Sequence, residues 1–254
     1  MIQTSFINPF PIPGVSIPDD LVLYCKLESD SDVQSPTYGN AGVVVGNPTY
    51  EAAKYNNGVQ TSNSNYVKWN LDDLSIFDSG MGAGAGSFTI EYWQKCEFSY
   101  DGADIDNETN DPSTNLSINR AGFTNSSDIN VNWRSDRNPA CEVRMRINGT
   151  NYTCSNVDES GAAVQFSDNS LNHFAFVFDD SDDTVYFYIN GTLHIHSGTV
   201  GASDTVNSGA SNGLAIGTNN IGGIDRRPTD GPMDDLIIWS SAKSDFSHKD
   251  NEGY

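Results

Sequence analysis

Lysine, arginine and glutamate are scarce in this 254-residue chain, at six, seven and eight respectively. A helical protein uses those residues for solvated faces and i, i+4 ion pairs, so their scarcity argues against a helical fold. Long apolar runs are missing too. Stretches such as GVVVG at 42–46 are far too short for a membrane-spanning helix, so no membrane insertion is expected. The four cysteines, Cys25, Cys96, Cys141 and Cys154, never approach CxxC spacing, which excludes a structural zinc cluster. No Ser-His-Asp order or glycine-rich phosphate loop appears. The first twenty residues have neither the basic segment nor the apolar segment of a secretory signal. The expectation is a protein not exported by that route, or one whose leader has been removed.

Positive charge is outweighed 34 to 13, giving a net charge of −21 and a pI near 4.1. Such a chain is repelled by phosphate backbones and anionic membranes, so no nucleic-acid partner is expected. The basic residues that exist are scattered, the densest groups being Arg134/Arg137 with Arg144/Arg146, and Arg226-Arg227.

What is abundant forms turns. Of the 34 acids 26 are Asp, accompanied by 27 Asn, 29 Ser and 23 Gly. Between the turns lie short β-type runs: LVLYCKL (21–27), GVVVG (42–46), VQTS (59–62) and YVKW (66–69). SFTIEYWQKCEF (87–98) alternates with period two. Phe88, Ile90, Tyr92, Gln94, Cys96 and Phe98 share one face, and Thr89, Glu91, Trp93, Lys95 and Glu97 the other. Shorter strands are expected near 116–123 and 129–134. A hairpin over 141–154 turns at Asn148-Gly149, which sets Ile147 opposite Thr150 and Cys141 diagonal to Cys154, a marginal geometry for a disulfide. LNHFAFVFDDSDDTVYFYINGTLHIHSG (171–198) holds turns at Asp180-Ser181-Asp182 and Asn190-Gly191. Strands at 213–217 and 233–241 follow, and the tail has room for one short helical turn. Residues 1–20 carry four of the ten prolines and no periodicity. They read as an extended arm, either frayed or docked on a neighbouring subunit through Ile2, Phe6, Ile7 and Phe10. The fold expected is all-β: an antiparallel β-sandwich over 21–254, preceded by the arm.

Several segments, in order, resemble the laminin-G-like, concanavalin A-like lectin jelly roll. GSFTIEYWQK resembles that family's strand with Thr89 and Trp93. NHFAFVFDDSDDTVYFYINGTLH resembles its His-to-Tyr-x-Asn-Gly hairpin, through His173, Tyr188, Asn190 and Gly191. LAIGTNN with GPMDDLIIWSSAKS resembles its closing strand, through Gly217, Gly231, Asp234, Asp235 and Trp239. The insertion at 99–114 is longer than the pattern, and the basic residues of heparin-binding members are absent.

The resemblance and the residues together suggest three chemistries. Glucanases of this fold use two strand-borne carboxylates, and the nearest match is Asp104-Ile-Asp106-Asn-Glu108, whose flanks read as turn rather than strand. No enzymatic activity is therefore expected. The same loop, with Asp101, Asn110 and Asp111, offers oxygens to a Ca²⁺, or is simply acidic. The family's structural Ca²⁺ matches at Asp234, with a carbonyl near Gly58 as partner; otherwise Asp234 caps backbone. Sugars stack on aromatic faces, and Tyr100, Trp133 and Tyr152 lie in or beside polar loops, whereas Trp69, Trp93 and Trp239 read as core. His194-x-His196 lacks a third ligand, and His173 reads as structural. Six N-x-S/T sequons read as turn composition.

The functional expectation is a non-enzymatic virion-surface protein of a bacterial virus, either a capsid decoration or a tail-associated protein. It would bind glycans or a host surface and assemble as a homo-oligomer, or with other virion subunits, through residues 1–20. The alternatives are a secreted carbohydrate-binding or adhesion module and a glycoside hydrolase of the same fold.

Overall fold

In the computed structural model the described residues are 17–62, 64–70, 81–82, 86–96, 113–119, 128–133, 141–147, 150–155, 170–194, 205–206, 213–216 and 231–251. Two large antiparallel sheets face each other, and a two-stranded sheet accompanies them. Their strands are β1 (Leu21–Cys25), β2 (Val43–Val45), β3 (Thr49–Ala52), β4 (Asn57–Gln60), β5 (Tyr66–Asn70), β6 (Met81–Gly82), β7 (Phe88–Cys96), β8 (Ser113–Asn119), β9 (Asp128–Trp133), β10 (Cys141–Ile147), β11 (Thr150–Ser155), β12 (Ser170–Asp179), β13 (Thr184–Ile189), β14 (Thr192–His194), β15 (Thr205–Val206), β16 (Gly213–Ile216) and β17 (Met233–Trp239). The eight-stranded sheet runs β14-β13-β12-β7-β17-β4-β3, with β1 also paired to β17. The seven-stranded sheet runs β11-β10-β9-β8-β16-β5-β2, and β15 pairs with β6. This is the expected jelly-roll sandwich. A five-residue helix, α1 (Asp30–Gln34), and a 3-10 turn at Ser247–Asp250 complete it.

The period-two pattern of β7 places Phe88, Ile90 and Tyr92 between the sheets. There they meet Phe174, Phe176 and Phe178 from β12, Leu236 and Ile238 from β17, and Val67, Trp69, Leu214 and Ile216 from the opposite sheet. The hairpin turns fall where the sequence puts them. Asn190 and Gly191 have φ of 53° and 82° and join Ile189 to Thr192, the paired positive-φ geometry that favours Asn-Gly. Residues 180–183 turn between Asp179 and its partner Thr184. Ile147 pairs with Thr150 and Val143 with Cys154, which sets Cys141 diagonal to Cys154; Asn148-Gly149 itself lies outside the described residues.

Four elements go beyond the sequence reading: β3, α1 and the two-residue strands β6 and β15. Ser29 starts the helix by accepting the Asp32 N–H at 3.3 Å. Residues 17–20 lie against the body: the Asp20 carbonyl accepts the Ser240 N–H at 2.8 Å, and the Asp20 carboxylate pairs with Lys243 at 2.6 Å. Residues 1–16 are outside the described set.

Candidate functional site

The alternate face of β7 points away from the inter-sheet core, yet it is buried as well. Thr89, Glu91 and Trp93, two residues apart, each engage the chain after β17. Thr89 Oγ1 donates to the Ser241 carbonyl at 2.8 Å and accepts the Lys243 N–H at 2.9 Å. His248 Nε2 donates to Glu91 Oε1 at 2.9 Å, and the Trp93 indole donates to the Lys249 carbonyl at 3.0 Å. The Tyr55 hydroxyl reaches the same carbonyl at 2.7 Å. Phe246 is buried against Ala175, Val177 and Tyr188. The tail thus roofs the outer face of the eight-stranded sheet. Trp69 belongs to the inter-sheet core, whereas Trp93 and Trp239 are buried on the outer face.

Glu91 is the hub under this roof. Besides His248 it accepts His173 Nε2 at 2.8 Å and the Trp239 indole at 2.6 Å, so three donors from three segments converge on one buried carboxylate. Burial alone would raise its pKa. The hydrogen bonds from His173 and His248 outweigh that and hold it at about 2. His173 is the structural histidine the sequence suggests, its backbone N–H read in turn by Asn190 Oδ1 at 2.9 Å. The space beside the hub is about 10 Å³, room for a single water, and is lined by Tyr24, Trp93, Asp235 and His248 among others.

A second polar group lies where β17 bulges between Asp234 and Ile237. Asp234 Oδ2 accepts the Tyr55 N–H at 2.8 Å and Oδ1 accepts the Asp235 N–H at 2.9 Å, so the carboxylate caps backbone. Burial pushes its pKa up to about 7 against those two bonds, and the charge of Glu28 adds to the rise. Glu28 accepts Asn56 Nδ2 at 2.9 Å. Gly58 is next to this strand: a Cβ there would sit 2.5 Å from the Met233 carbonyl oxygen, so the approach requires glycine. Gly58 therefore packs against Met233, the chain neighbour of Asp234, while Glu28 and Asn56 are joined by their own hydrogen bond. Among the described residues, no three His, Cys, Asp or Glu side chains form a metal cluster.

Of the other sequence candidates, Trp133 and Tyr152 fall within the described residues. Tyr100, Asp104, Asp106 and Glu108 lie outside the described residues. Trp133 is paired with Cys141 and Ser113, and Tyr152 with Met145, on strands separated by β10. The sequence reading overlooked Glu91, Tyr55, His248 and Lys249 as a group. Its one available signal was a glutamate inside an otherwise aromatic and β-branched strand.

The family profile of the concanavalin A-like lectin/glucanases superfamily matches residues 61–245, and the chain belongs to that family. Among solved structures it is similar to domain 4 of AbnA, a GH43 extracellular arabinanase from Geobacillus stearothermophilus, solved in complex with arabinotriose. Identity there is 15%, over 88% of this chain and 93% of that one, with a TM-score of 0.59. It is also similar to the receptor-binding domain of a botulinum neurotoxin C/D mosaic serotype, at 15% identity over 89% of this chain and 49% of that one, TM-score 0.58. The binding domain of Paraclostridial Mosquitocidal Protein 1 is a third, at 14% identity, 89% and 50% coverage, TM-score 0.50. The chain spans about half of each toxin structure. No curated protein sequence matches it.

Proposed function

We propose that this lectin-like domain is a non-enzymatic module that binds glycans or a host surface. The observation that carries the reading is the lectin-like sandwich itself, matched to the concanavalin A-like lectin/glucanases profile over residues 61–245, with the outer face of its eight-stranded sheet covered by the chain's own tail. Glu91 has three donors and a space of about 10 Å³ beside it, which favours a structural role for this carboxylate over a catalytic one. Asp234 likewise spends both oxygens on backbone. Retaining hydrolysis needs two accessible carboxyl groups about 5–5.5 Å apart. The recognition surface we propose is the rim of the sandwich, with Tyr100, Trp133 and Tyr152 as the stacking aromatics. An arabinotriose-bound domain and two toxin binding domains with the same fold support this. A glycan array with the full chain in millimolar Ca²⁺ tests it. A sugar-competable hit is expected; a blank array with folded protein overturns the reading.

Calcium is the proposed structural cation, with Asp234, Glu28, Asn56 and the main chain near Gly58 as its holders. The setting we propose is a virion surface, either a capsid decoration or a tail-associated protein, joined to other subunits through the arm. The arm's prolines and apolar side chains support this. Removing residues 1–16 is expected to leave thermal stability unchanged and to lower the assembled mass in light scattering. An unchanged mass overturns the arm's role.

A further inference from the structure

The tail is held to the body much as a receptor holds a peptide. Among the described residues, nothing after Ser240 joins a strand ladder. Side chains of the body read the tail's main chain instead, Thr89 at Ser241 and Lys243, and Tyr55 with Trp93 at Lys249. Phe246 is the anchor, its ring 4.9 Å from Tyr188 and 5.6 Å from His173. His248 supplies a charge-assisted hydrogen bond to Glu91, and Asp250 pairs with Lys54 at 3.0 Å.

The segment has two halves. Residues 240–243 are clamped: Ser240 N–H and the Lys243 ammonium both engage Asp20, and Lys243 lies 4.3 Å over the Trp239 ring. Residues 246–251 carry the anchors. Ser244 and Asp245 between them are exposed and outside any helix or strand, and because Asp245 Oδ1 accepts the Ser247 N–H at 2.9 Å the hinge lies at Ser244, ahead of that turn. Releasing the distal half breaks side-chain contacts without opening a sheet, which makes it a local unit of opening.

We propose that the groove formed by Tyr55, Glu91, Trp93, His173 and Tyr188 accepts residues 246–251 of a second copy, so that two copies associate by reciprocal exchange of their tails. The groove is complementary to this segment because it already holds it. Exchange reuses the same contacts in trans, and the choice between cis and trans is set by the hinge and by the effective concentration of the attached tail. Two chains of net charge −21 repel each other, so screening by salt favours the exchanged pair.

The first test deletes Ser244 and Asp245 from the full chain, which prevents a tail from reaching its own groove. The expected product is a dimer in light scattering, more populated at high salt and melting close to the parent. A folded monomer at every concentration overturns the proposal. The second test adds a labelled peptide of residues 244–251 to full-length F246A. Saturable binding is expected, about tenfold weaker for a peptide carrying His248→Ala, and much weaker with the parent protein, whose attached tail competes for the groove. Absence of binding to folded F246A also overturns the proposal, and full-length H248A serves if F246A does not fold.

Discussion

The two faces of β7 are equally dry and differ in what keeps them so. Inward, Phe88, Ile90 and Tyr92 meet other aromatic and aliphatic side chains, and the contact is one of shape and area. Outward, Thr89, Glu91 and Trp93 meet hydrogen-bond partners from the tail and from β12 and β17. An apolar contact loses stability in proportion to the atoms removed. A buried polar hub is all-or-none, because deleting its centre leaves each donor desolvated and unpaired.

Replacing Glu91 by Ala should show the largest effect, a loss of about 4 kcal/mol in urea unfolding, since two buried donors, His173 and Trp239, and the half-buried His248 lose their acceptor together. A loss near 1 kcal/mol would mean that the outer face behaves like the inner one. The same carboxylate sets an acid limit. Its folded-state pKa of about 2 lies below the ordinary 4.5, so its charge contributes stability above that range, and the contribution is lost as pH falls from about 4.5 towards about 2. Melting temperatures of Glu91→Gln should lack that part of the acid slope.

Phe246→Ala should cost about 3 kcal/mol. Hydrogen exchange should speed up chiefly in residues 246–251, and a uniform increase would show that the tail is not a separate unit. Asp234→Ala should destabilise by about 1–2 kcal/mol through its two lost backbone bonds, and by more in millimolar Ca²⁺ than in EDTA. Equal losses would leave it a backbone cap only. On the inner face, Ile90→Val should cost only about 1 kcal/mol, the graded response of an apolar contact.

Much of this architecture was legible locally. The alternation in 87–98 assigns each β7 residue to its face, and Asn190-Gly191 marks a turn because only that geometry needs two consecutive positive φ values. β3 escaped notice because TYEA, preceded by Pro48, has neither alternation nor a β-branched run. α1 escaped because five residues anchored by one Ser29 cap carry no period. The hub was half legible. Parity puts Glu91 beside Trp93, but nothing near it in sequence points to His248, 157 residues away. Asp234 was found through the family resemblance, whereas its backbone partner at Tyr55 depends on how β4 and β17 lie together.

The clamp between Asp20 and residues 240–243 also determines how the domain responds to force. Leu21 and Trp239 form the outermost rung of the β1–β17 ladder, directly beside the clamp. Tension applied across Asp20 and Ser240 therefore peels that ladder one rung at a time, from Leu21 towards Cys25, and does not shear all its rungs together. Such a joint is mechanically soft, and its first resistance comes from the Asp20 contacts with Ser240, Ser241 and Lys243 and not from the aromatic core.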